Sequence, residues 1–215
     1  MKRTNLETAP GLQDALFDLA DLARQAVAAT PWHGAPLAYT TDYYTPAQLR
    51  AAFDRYRSEF GNFACTPRSH MWHDTVCHRD FTLDVHGCVH LVADTRCTEA
   101  DHDHSGEPFP HAYMHQMICE PCSWHYISTN ENEAVEAWHD HALPTWRTLP
   151  VMPAKLRSDD PKMKARRLDW IAETYPAELQ IPGAPILADR AGRHVDHRSP
   201  LGGYELAIST EGTTR

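Results

Sequence analysis

The sequence predicts an α+β fold, a small antiparallel sheet with a zinc-knuckle hairpin, flanked by amphipathic helices and an extended C-terminal tail. Three observations predict it. Apolar residues recur at helical spacing in segments on both sides of the centre, and in the middle of the chain they alternate with polar residues at a period of two. Between two of the alternating runs, MICEPCSWHYI (residues 117–127) sets Cys119 and Cys122 three positions apart, the spacing with which one turn presents two thiolates to one metal ion.

The elements follow in order. Residues 11–29 place Leu12, Leu16, Leu19, Ala23 and Ala26 at helical spacing, which predicts a helix with one buried face. A second helix starts at Thr45-Pro46-Ala47-Gln48, where Thr45 caps, Pro46 suits the first turn and Gln48 completes a capping box; Leu49, Phe53, Tyr56 and Phe60 form its stripe and Gly61 ends it. Phe81, Leu83 and Val85, a turn at His86-Gly87, and Val89, Leu91 and Ala93 predict a hairpin. Residues 112–118 and 123–127 predict a second strand pair joined by the Cys119–Cys122 segment. Asn130, answered by Glu133, opens a helix that faces Val135, Trp138 and Ala142 inward. A last helix runs from Asp160-Pro161 to Tyr175, with Met163, Leu168, Ile171 and Tyr175 on one side. Beyond Pro176 the chain is rich in proline and glycine and reads as an extended tail wrapping the core. The organisation is therefore an N-terminal helical segment (1–62), a zinc-binding α+β core (63–176) and the tail (177–215).

Composition narrows the function classes. Twenty Lys and Arg against 29 Asp and Glu give a formal charge of −9, which argues against indiscriminate coating of nucleic acid or membrane. The N-terminus lacks the apolar core of a signal peptide and no stretch reaches the ~18 apolar residues of a membrane span, so a cytoplasmic protein is expected. In a reducing compartment six cysteines read as thiols or ligands rather than as a disulfide framework. Residues 70–141 hold twelve of the fifteen histidines and five of the six cysteines, so any chemistry sits there.

Two thiolates are half a structural zinc site. Cys97 with His102 or His104, in RCTEADHDH, offers the other half from the end of the first hairpin, giving a ribbon-like site. The helix after the knuckle carries WHDH, and His139 and His141, two apart, diverge on a regular helix. A mixed site using one helix histidine stays open, and the candidate ligands are Cys97, His102, His104, Cys119, Cys122 and His141. Asp140 reads either as a group orienting a histidine ligand or as an exposed helix-end carboxylate. His86, Cys88 and His90 alternate onto one strand face and offer a second, weaker constellation. A redox reading of Cys-x-x-Cys requires that it open a helix, and CEPCSWHYIS continues as strand. No His-Glu-x-x-His helix, deaminase signature or phosphate-cradling glycine loop is present. In this acidic chain, Lys162, Lys164, Arg166 and Arg167 form a basic stretch beside Trp170, either a phosphate-contacting face or a solvated helix surface.

CEPCSWH, ENEAVEAWHDHALPTWRTLPV and IPGAPILADRAGRHVDHRSPLGGYEL resemble an uncharacterised actinobacterial and actinophage family of unknown function, over roughly residues 65–208. Cys97, Cys119, Cys122, Asp140, His141 and Trp146 match its motif positions, His139 does not, and Thr145 stands where the family often has glycine. The resemblance implies zinc and a mobile-element origin, and no activity. The reading from sequence is a zinc-stabilised intracellular binding protein of phage or mobile-element type that contacts a protein or nucleic acid, with enzyme activity left open. Its rivals are a zinc-dependent hydrolase or nuclease and an acidic anti-defence inhibitor imitating DNA.

Overall fold

The computed structural model describes residues 12–61, 70–75, 80–96, 110–157, 160–189, 195–196 and 199–208. Their order is α1 (Leu12–Ala28), α2 (Pro46–Phe60), β1 (His73–Asp74), β2 (Phe81–Leu83), β3 (His86–Asp94), β4 (Tyr113–Cys119), β5 (Trp124–Ser128), α3 (Glu131–Ala142), β6 (Val151–Met152), α4 (Pro161–Thr174), β7 (Ile186–Asp189), β8 (Val195–Asp196) and β9 (Glu205–Ile208). The fold is mixed α+β, and no described helix is long and apolar enough to cross a membrane.

The helix starts are set locally, as expected. Thr45 Oγ1 accepts from the Gln48 amide while Gln48 Oε1 accepts from the Thr45 amide, closing the capping box. Asn130 caps α3 through the Asn132 amide. Its expected partner Glu133 turns instead to the hydroxyls of Tyr126 and Ser128, at 2.9 and 2.6 Å, and ties α3 to β5. Asp160 caps α4 through the Lys162 amide.

The first sheet is antiparallel, in the order β1-β3-β4-β5, with β2 also paired to β3. Its two long strands, β3 and β4, are buried on both faces. Val89, Leu91, Ala93, Met114 and Ile118 pack with Leu49 and Ala52 of α2, whereas Cys88, Met117 and Cys119 pack with α3 and the second sheet. The expected hairpin forms, but its turn falls at Asp84-Val85, two residues earlier than the sequence suggests. Asp84 takes the left-handed conformation (φ 54), which aspartate tolerates, and Leu83 pairs with His86. His86 is thereby a strand residue.

Among the described residues beyond Pro176, where the sequence suggests a loop-like tail, ten lie in strands of a second sheet. β6, β7 and β9 pair in parallel, and β8 closes the edge antiparallel to β9. Ile186, Leu187 and Leu206 enter the core. Glycine permits the approach: Gly183 (φ 87) lies so close to the Thr82 carbonyl that a Cβ there would stand 2.2 Å from its oxygen.

Two expected helix faces differ. Leu19 of α1 is 63% exposed, and Ala23 and Ala26 are exposed as well; α1 packs on α2, and the side chains of Leu12 and Leu16 lie outside the described residues. In α4 the buried side is Arg167 and Ile171, while Leu168 is 52% exposed.

A candidate metal centre

Three elements converge on one point. β4 ends at Cys119, a single 3-10 turn carries Glu120–Cys122, and Ser123 in the left-handed conformation (φ 49) sends the chain back as β5, with Cys119 paired to Trp124. The amides of Gly87 and Cys122 both donate to the Cys119 sulfur, so backbone from β3 and from the turn aims that thiol. His86, at the start of β3, places Nδ1 3.6 Å from Cys119 Sγ and 3.4 Å from Cys122 Sγ. His141, in the last turn of α3, completes the group. One donor atom from each of His86, Cys119, Cys122 and His141 lies within 4.8 Å of all the others.

The surroundings orient these donors. The imidazole of His141 is stacked between parallel planes with Trp124, 4.6 Å and 5° apart, and meets His86 edge-on at 4.9 Å. Its Nε2 is buried with no hydrogen-bond partner among the described residues. Burial and the neighbouring His86 lower its pKa, which keeps the ring neutral and able to bind a cation. Burial holds the Cys119 thiol above its ordinary range against the two backbone amides. A redox cysteine needs the opposite shift, whereas a bound cation would take the thiolate outright. Cys119 is fully buried and Cys122 is exposed, so the group has one side open to solvent.

The sequence-derived ligands divide accordingly. Cys119, Cys122 and His141 come together; Cys97, His102 and His104 lie outside the described residues. His86 takes the fourth position, away from the trio it makes on paper with Cys88 and His90. The signal that finds it is the αL-tolerant Asp84, which opens the two-residue turn immediately before His86. His139 diverges as its spacing requires: it is fully buried, its Nδ1 donates to the Val135 carbonyl at 2.8 Å, and burial pushes its pKa down to about 4. Asp140 orients no histidine; it accepts from Trp146 Nε1 at 2.8 Å and from Arg147. On α4, Lys162, Lys164 and Arg166 are exposed, while Arg167 is buried and donates through Nε to the Leu156 carbonyl at 3.1 Å. Trp170 packs against the core cluster.

No curated protein and no solved structure matches this chain. A family model described as a family of unknown function (DUF6349) matches residues 34–215, a span that includes all four donors and the second sheet and leaves α1 outside. The chain, an α+β domain with a His₂Cys₂ group that could hold a metal, belongs to this family of unknown function.

Proposed function

We propose that His86, Cys119, Cys122 and His141 hold one structural Zn²⁺, and that the protein is a zinc-stabilised binding protein. The observation that carries this is the convergence of four donors. Zn–S bonds of about 2.3 Å and Zn–N bonds of about 2.0–2.1 Å put the S···N edge of a tetrahedron at about 3.6 Å. The two His86–sulfur separations, 3.6 and 3.4 Å, fall at that edge. Two sulfurs and two imidazoles suit zinc over the oxygen-preferring cations. Four protein donors leave no position for a water, which supports a structural ion over the hydrolase or nuclease alternative. The ion would clamp the start of β3, the β4–β5 turn and the end of α3, fixing the helix on the sheet.

A domain built this way would work through its surface. Lys162 and Arg166, four apart and exposed on one face of α4 in a chain of net charge −9, support contact with a nucleic-acid backbone through that face. Zinc content of protein purified without added metal tests the first part, with X-ray absorption to count ligands. One zinc per chain with two sulfurs and two nitrogens is the expected result. A metal-free, fully folded chain, or an ion with a water in its shell, overturns the structural reading.

A further inference from the structure

The same face of the first sheet carries a second pair of imidazoles, four residues further along β3. At about 3.3 Å per strand residue this is about 13 Å from His86. His90 is 5% exposed, and its Nε2 lies 3.1 Å from Nδ1 of half-buried His115 on β4, with the rings near-parallel at 5.3 Å. Glu131, in the first turn of α3, places Oε1 4.0 Å from the other nitrogen of His90, Nδ1.

Two neutral imidazoles with facing nitrogens have three arrangements. In two of them they share a hydrogen bond, His115 Nδ1–H donating to His90 Nε2 or His90 Nε2–H donating to His115 Nδ1. In the third both nitrogens are bare and share a cation. For metal–nitrogen bonds of about 2.05 Å, a 3.1 Å separation subtends about 100° at the ion, between the octahedral and tetrahedral angles. The Glu131 carboxylate disfavours His90 as the donor. It stands on the Nδ1 side of His90, where its charge favours a proton on Nδ1 and so leaves Nε2 bare, to accept from His115 or to bind a cation. Burial lowers the pKa of His115, opposed by Glu131, so that ring is available as a neutral ligand.

We propose that His90 Nε2 and His115 Nδ1 form a second, open metal site for an imidazole-preferring divalent transition ion such as Zn²⁺ or Ni²⁺, with Glu131 as the positioning residue. Two protein ligands leave the remaining positions to water or to an exogenous donor, so this ion exchanges readily where the four-donor ion does not. The inference stands independently of the His₂Cys₂ reading, since it uses none of those residues.

The test is a titration of the purified full chain with Zn²⁺ alone, followed by elemental analysis and by long-range proton–nitrogen spectra of the imidazoles. Wild-type protein takes up one more ion than His115→Ala, and the His90 Nε2 and His115 Nδ1 resonances shift together. Glu131→Gln, at a side chain 42% exposed and so tolerant of replacement, weakens this uptake by about 10–100-fold and keeps the fold if His115→Ala does not. Equal uptake by wild type, His115→Ala and Glu131→Gln overturns the proposal. So does a His115 Nδ1 or a His90 Nε2 that stays protonated in excess Zn²⁺, because the pair is then a hydrogen bond only.

Discussion

The indole of Trp124 lies flat against the imidazole of His141, ring centroids 4.6 Å apart and planes 5° from parallel. Trp124 is also the strand partner of Cys119, so one residue registers the knuckle and packs against the α3 member of the donor group. Trp124→Ala frees His141 to rotate. Zinc affinity is expected to fall about tenfold or more, as it does when a group that orients a ligand is lost. Competition with a chromophoric chelator measures this, and unchanged affinity would mean that the stack does not hold the ligand.

His86 separates the geometry from the arrangement that spacing alone suggests. His86→Ala is expected to lose the bound zinc and, if the ion contributes about 3 kcal/mol, to lower Tm by about 6–12 °C. Cys97→Ser and His104→Ala should leave stoichiometry and Tm unchanged. Elemental analysis beside a thermal melt decides, and the reverse pattern would move the site to the 97–104 segment.

Tyr175 links α4 to both partners of the β6–β7 layer: its hydroxyl donates to the Pro150 carbonyl and accepts from the Leu187 amide, each at 2.9 Å. Tyr175→Phe leaves both groups without this partner and should cost about 1–3 kcal/mol in chemical denaturation. Burial pushes the Tyr175 pKa up to about 12 from an ordinary 10.0. Below pH 10 the phenol is neutral in both states and its stabilisation is complete. As pH rises from 10 to about 12 the unfolded chain releases the proton first, so about 3 kcal/mol of stability is lost across that window. Tyr175→Phe should lack this part of the alkaline slope; parallel slopes would contradict the assignment.

The α4 cations fall into two groups with opposite expectations. Replacing Lys162 and Arg166, which share one face, with glutamine should leave Tm within about 2 °C and flatten the salt dependence of DNA or RNA binding by about 2 in logarithmic slope. Arg167→Gln should lower stability instead, because its buried guanidinium holds the Leu156 carbonyl. Binding that ignores salt in the wild type would point to a protein partner.

What the sequence determined by itself is local. Thr45 with Gln48, Asn130 and Asp160 start their helices because caps act within three residues, and the period of two in β3 and β4 follows from side chains alternating across a strand. Cys119 and Cys122 were legible as candidate ligands for the same reason, since a thiol pair needs one turn; the divergence of His139 from His141 needs one helix, and the choice of His141 came from the family resemblance. The tertiary structure decided what depends on distant partners. Strands of two to four residues at Val151–Met152, Ile186–Asp189 and Glu205–Ile208 carry too little periodicity to announce a sheet, and become one only when parallel pairing buries them together. Arg167 and Leu168 are adjacent, and which of them faces inward depends on the Leu156 carbonyl that waits on another segment. His86 belongs to the knuckle because a hairpin turn two residues earlier than expected brings it to sulfurs 33 and 36 positions away. No window of local sequence records that meeting, since it is the pairing of β3 with β4, sustained by side chains buried on both faces of the sheet, that holds the two ends of so long a loop together.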